Sequence, residues 1–191
     1  MEPISKRVDL KQMATLNGLV LGAIDTAIFL LVFYLMPNLM ASFVFKTIQT
    51  LFGLALVIYF CLDMRKKMGG YWSFREALTG IFILLFKSAM VLFLFTLIFG
   101  KFIDHSYPVK MKELVVAKST EMTKQWGVIS QDKVDELDAS LEKRLNPSLA
   151  DVCKSVCMMA IMYFIGALIL AAIFKKERPI TGLPTQDESL N

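Results

Sequence analysis

Cysteine is scarce in this 191-residue chain. Three thiols, Cys61, Cys153 and Cys157, are too few and too scattered for a disulfide scaffold. Histidine is scarcer still: His105 is the only one, which excludes a His-rich metal site. There is no Gly-rich phosphate loop, no zinc-ligand spacing and no recognisable Ser/His/Asp or Cys/His set. No enzymatic activity and no cofactor are expected. Charge is also thin. Charged residues make up 20% of the chain, 21 basic against 17 acidic, for a formal net charge of +4. The basic residues gather in short clusters at the edges of apolar blocks, which marks topology and contact with lipid headgroups, not a nucleic-acid partner. Disorder is excluded by an apolar fraction of 55% and a mean hydropathy of +0.55.

What is present in excess is long apolar runs. A helix crosses a bilayer with ~20 mostly apolar residues, because each rises ~1.5 Å through ~30 Å of hydrocarbon. Four stretches meet that length: residues 13–36, 39–62, 77–102 and 153–174. One such block alone fits a buried helix of a soluble domain. Four in a chain this short leave no polar face to cover them. Runs such as Phe82-Ile83-Leu84-Leu85-Phe86 do not alternate, so barrel strands are excluded and helices remain. The fold class is all-α: a four-transmembrane-helix bundle with an extracytoplasmic helical insertion between the third and fourth spans.

Local signals place the boundaries. Pro37-Asn38 breaks the first hairpin. Ser73-Phe74-Arg75-Glu76 spells a capping box before the third span. Asn146-Pro147 is expected to start the fourth, with Pro at the first helical position. Lys6, Arg7 and Lys11 before an apolar run imitate a secretion signal, but the run is too long and carries Asp25 at its centre. It reads as a retained span.

Basic short loops stay cytoplasmic. Arg65, Lys66, Lys67 and Arg75 lie between spans two and three, and no Lys or Arg lies between spans one and two. Residues 63–76 are therefore expected in the cytoplasm. Residues 1–12 and 175–191 follow, and both are basic beside the membrane. Residues 103–152 are then expected on the opposite, outer side of the membrane. From Lys101 to Asp151 the chain carries eight Lys or Arg and nine Asp or Glu, mixed and spread out. Tyr71-Trp72 at the inner rim and Tyr34 and Tyr107 at the outer rim are expected as interfacial anchors.

The outer segment has helical patterning. Met111, Leu114, Val115, Met122 and Trp126 form one apolar set. Val134, Leu137, Leu141 and Leu145 form a second, on one helical face. Ser130 suits the N-cap of that second helix, with Asp132 early and Lys143 and Arg144 late, as the helix dipole favours. The apolar faces either pack on each other and the bilayer surface or form a docking face for a partner.

Ionisable groups within spans cost ~2.5–3.5 kcal/mol on insertion scales, so they usually face protein or water. There are three: Asp25, Lys46 and Lys87. In the expected topology Asp25 and Lys87 each lie about 11 residues, ~16 Å, from the inner rim. They are level, and an interhelical Asp25–Lys87 contact is expected. It either fixes register or belongs to a proton or ion relay. Lys46, nearer the outer side, can snorkel outward. Gly18 and Gly22, with Ala14 and Thr26, make a small-residue stripe that admits a close helix, within the chain or across a dimer. Cys153 and Cys157 are expected as packed thiols.

Gly69-Gly70-Tyr71-Trp72-Ser73-Phe74 followed by Ala77, together with Phe102-Ile103-Asp104, resembles two elements of a bacterial membrane family of the Bacteroidota, domain of unknown function 4199. The chain departs from that pattern in that Pro108 does not directly follow Asp104. The resemblance implies an inner-membrane protein with a periplasmic segment, and it implies no activity. Two functions follow as expectations. The first is a structural or interaction component of the bilayer, docking a membrane or periplasmic protein through residues 109–145. The second is a small homo-oligomeric transporter or channel subunit using Asp25 and Lys87.

Overall fold

Pro37 follows the end of the first long helix and Ser42 begins the second, so the first hairpin turns within a few residues. In the computed structural model, residues 4–40, 42–104, 106–107, 109–114, 116–117 and 148–176 are described. Helix α1 runs Ile4–Leu35, and its apolar part is Asp9–Leu35. At ~1.5 Å per residue that part alone exceeds ~30 Å of hydrocarbon. Pro37 lacks an N–H and opens a separate short helix, α2 (Pro37–Met40), where a first-turn proline costs no bond. Ser42 then stands in extended backbone and accepts from Phe45 N at 3.5 Å, starting α3 (Phe43–Lys67). The second span therefore begins four residues later than the apolar run suggests, because Leu39 and Met40 belong to the turn.

α3 ends on Arg65, Lys66 and Lys67, whose charges suit a helix C-terminus. Gly69 N donates to Lys66 O at 3.1 Å and Gly70 N to Arg65 O at 3.0 Å. This double closure needs a left-handed residue after the cap, and Gly69 supplies it at φ 90. Ser73 caps α4 (Phe74–Ile98) with the full reciprocal box: its hydroxyl accepts from Glu76 N, and the Glu76 carboxylate accepts from Ser73 N at 2.9 Å. α4 continues as one wide π turn, Phe99–Ile103, closed by Asp104 N donating to Phe99 O at 2.9 Å. Residues 109–114 are helical again.

Helix α5 (Leu149–Phe174) starts at a second capping box, Ser148 with Asp151. The expected proline start is corrected: Ser148 is the N-cap and Leu149 the first helical residue. Among the described residues, four helices are long and apolar enough to span a membrane. No strand occurs among the described residues. An isolated antiparallel bridge joins Trp72 and Lys176, whose backbones exchange two hydrogen bonds of 2.8 Å. It ties the α3–α4 connection to the end of α5.

α1 and α4 form the most extensive contact, and α4 also carries α5. α3 is the least buried of the four. At the end bearing Arg65–Lys67, a core of Leu10, Ala14, Met64, Trp72, Ala77 and Ile81 closes the bundle. At the other end, beside the Pro37 hairpin, Phe33, Met40, Phe99 and Tyr107 form an aromatic core. Its rings meet edge to face, as Phe33 and Phe99 do at 5.2 Å between centroids. Two expected interfacial anchors are corrected here. Trp72 is 0% exposed and Tyr107 7%, so both are core residues, while Tyr34 and Tyr71 are exposed.

Candidate functional site

The deep polar residues lie between the two cores, on the α1–α4 seam. Gly18 and Gly22 let the helices approach until backbone meets backbone. A Cβ at Gly18 would stand 2.7 Å from Leu84 O and 2.9 Å from Lys87 Cβ. At Gly22 it would stand 2.7 Å from Val91 Cβ and 2.9 Å from Ser88 O. The small-residue stripe is thus occupied within the chain. One turn further, Ser88 Oγ donates to Asp25 Oδ2 at 3.4 Å, a long bond between helices 63 residues apart in sequence. Ser88 is buried and Asp25 half-buried. Thr26, beside Asp25, satisfies its own hydroxyl on Gly22 O at 2.7 Å.

Lys87 does not meet Asp25. Its side chain is exposed, and among the described residues no ion pair joins the two. The residue that meets Asp25 is the chain neighbour of Lys87, and one residue rotates a helix by about 100°. Ser88 therefore takes the place assigned to Lys87, whose Cβ instead covers Gly18. Nothing in the sequence singles out Ser88 except that it is a hydroxyl level with a buried acid. Tyr163 of α5 is half-buried and within electrostatic range of Asp25.

Among the described residues, clefts open near both ends of the bundle. One, at the Arg65–Lys67 end, has a volume of about 650 Å³ and is lined by Asp9, Gln12, Leu16, Lys67 and Gly69. The other, of about 280 Å³, lies between α1, α3 and α4 near the hairpin, with Ile28, Phe29, Phe45, Lys46, Gln49 and Leu92 on its walls. Neither is lined by Asp25 or Lys87. Lys46 is exposed in the first turn of α3. Beyond the π turn, Asp104 accepts from Ser106 N at 2.8 Å and from the Ser106 hydroxyl, and faces Lys110 Nζ at 3.6 Å. Those donors hold its carboxyl below the usual aspartate range, with the Ser106 hydroxyl the largest cause.

The thiols are corrected in part. Cys61 is buried in the core, but Cys153 and Cys157 are exposed on α5 and free, not packed. His105 and the expected partner face of Val134, Leu137, Leu141 and Leu145 lie outside the described residues.

No curated protein and no solved structure matches the chain. A family model does match, over residues 16–176, a range that takes in α3, α4 and α5 whole and most of α1. With that match and four apolar helices of spanning length, the chain belongs to the family described as protein of unknown function DUF4199.

Proposed function

We propose that this chain is a structural or interaction component of a bacterial inner membrane. It docks a membrane or periplasmic protein through the segment between α4 and α5. In this orientation Arg65–Lys67, both chain ends and Lys176 face the cytoplasm, and the Pro37 hairpin and residues 103–152 face the periplasm. Support for the sidedness comes from the basic residues: those closing α3 and those following α5 share one end of the bundle, joined by the Trp72–Lys176 bridge. Dense Lys and Arg beside a membrane favour the cytoplasmic side.

One observation carries the docking function over transport. The deep acid Asp25 is engaged by Ser88 on the α1–α4 seam and lines neither cleft. A carboxylate bonded across a helix seam fixes rotation and register. The bundle is then a platform, and the apolar face of Val134, Leu137, Leu141 and Leu145 is the docking surface. The rival, an oligomeric transporter or channel subunit, needs Asp25 and Lys87 on a shared water path.

Photo-crosslinking from Leu137 and Leu141 in native membranes tests this. A discrete adduct with one other protein, absent when the crosslinker sits at exposed Leu54 in α3, is expected. Adducts joining only copies of this chain would favour the transporter.

A further inference from the structure

The buried residues of α3 lie in its second half: Val57, Cys61 and Met64 are all beyond Leu56. From residue 43 to residue 56 none is buried. The helix therefore stands away from the α1–α4 pair toward the hairpin, and the wedge between them is the cleft of about 280 Å³. That is roughly the volume of nine waters, enough for part of one hydrocarbon chain and too small for most folded partners.

Two features select the occupant. Ile28, Phe29, Phe45 and Leu92 make the walls apolar. Lys46 puts a cation at the edge, and no carboxylate among the described residues pairs with it. It lies three residues into α3, about 5 Å below the helix start, so its long stem reaches headgroup level. Gln49 follows about 4.5 Å deeper, near the depth of ester carbonyls.

We infer that the cleft is a binding site for an anionic phospholipid. One acyl chain fills the wedge, and the Lys46 ammonium pairs with the headgroup phosphate. A second copy of this chain fits less well. The exposed residues around Lys46, among them Phe43, Val44 and Ile48, offer a symmetric partner no carboxylate for that cation. The site does not depend on which side of the membrane the hairpin faces.

The test uses the full-length chain in lipid vesicles doped with photoactivatable phosphatidylglycerol or phosphatidylcholine carrying the same diazirine-bearing chain. Adducts on residues 28–32, 45–49 and 92–96 should favour phosphatidylglycerol by about fivefold, the effect of one basic residue near an anionic headgroup. Lys46→Gln should bring that ratio near one, and Lys46→Arg should retain it. Lys66→Gln, at the opposite end, should leave it unchanged. Val32→Trp, which fills the cleft, should reduce adducts of both lipids. Because Lys46 is exposed, its variants fold and the ratio remains readable. The inference is overturned by equal labelling in the wild type or by an unchanged ratio in Lys46→Gln. Suppression by excess glycerol 3-phosphate would also overturn it, as would a cleft shielded from both lipids by α3-to-α3 crosslinks between copies.

Discussion

Ser88 on α4 donates its hydroxyl to the carboxylate of Asp25 on α1, 3.4 Å away, and so joins the two most extensively packed helices at mid-depth. Interhelical bonds of this kind in membranes are worth about 0.6 kcal/mol on average and ~1.7 at most. A double-mutant cycle with Ser88→Ala and Asp25→Asn, read by unfolding in mixed micelles, should give a coupling in that range. The same cycle with Lys87→Met should give a coupling near zero. A large Asp25–Lys87 coupling would restore the pairing expected from depth alone.

Two pairs of glycines in the bundle contrast. Ala at Gly18 or Gly22 would force its Cβ to within 2.7–2.9 Å of Leu84 O, Lys87 Cβ, Val91 Cβ or Ser88 O, and should cost about 1–3 kcal/mol. Leu at either position should separate α1 from α4. A Cβ at Gly53 or Gly166 meets nothing within 4 Å, so Ala there should be neutral or stabilise by ~0.5–1 kcal/mol. Thermal unfolding of the four Ala variants in one detergent checks the ranking.

Trp72 fills the core at the basic end with 0% exposure, and its indole Nε1 has no hydrogen-bond partner among the described residues. Its contribution is volume and apolar contact. Trp72→Ala should cost about 3–5 kcal/mol. Trp72→Phe, which gives up no hydrogen bond, should cost far less. If the two cost the same, the indole nitrogen is bonded.

Asp104 gives a pH signature. Its folded pKa is held down by Ser106 and Lys110, while the unfolded value is about 3.9. A lowered carboxyl pKa adds stability above the unfolded value, and that stability is lost as pH falls through the folded value. The melting difference between wild type and Asp104→Ala should therefore be full at pH 7 and shrink below about pH 4. A difference that grows with acid would contradict the assignment.

The sequence made the spans legible because each is a local property: apolar length, a proline, a capping serine. Ser73 with Glu76 is one case, read from residue spacing and found as a reciprocal box. Rotation was not legible. Ser88 and Lys87 are adjacent, and only the crossing of α1 and α4, set by Gly18 and Gly22, decides which one faces Asp25. The burial of Trp72 and Tyr107 was missed for a related reason. Aromatics near a membrane edge suit both headgroups and a core, and distant partners, Lys176 for one and Phe33 and Phe99 for the other, determine which. The cleft at Lys46 follows from where α3 leaves α1, a long-range feature with no local signal.

The central claim is that α1, α3, α4 and α5 each cross the bilayer, so alternate connections lie on opposite sides. Single cysteines placed by Lys67→Cys, Lys176→Cys, Ser42→Cys and Lys101→Cys, in a chain whose own three thiols are replaced, test it with a membrane-impermeant maleimide on sealed vesicles. Positions 67 and 176 should label together, and positions 42 and 101 should label together only from the other side. Labelling of all four from one side of an intact membrane would contradict the account.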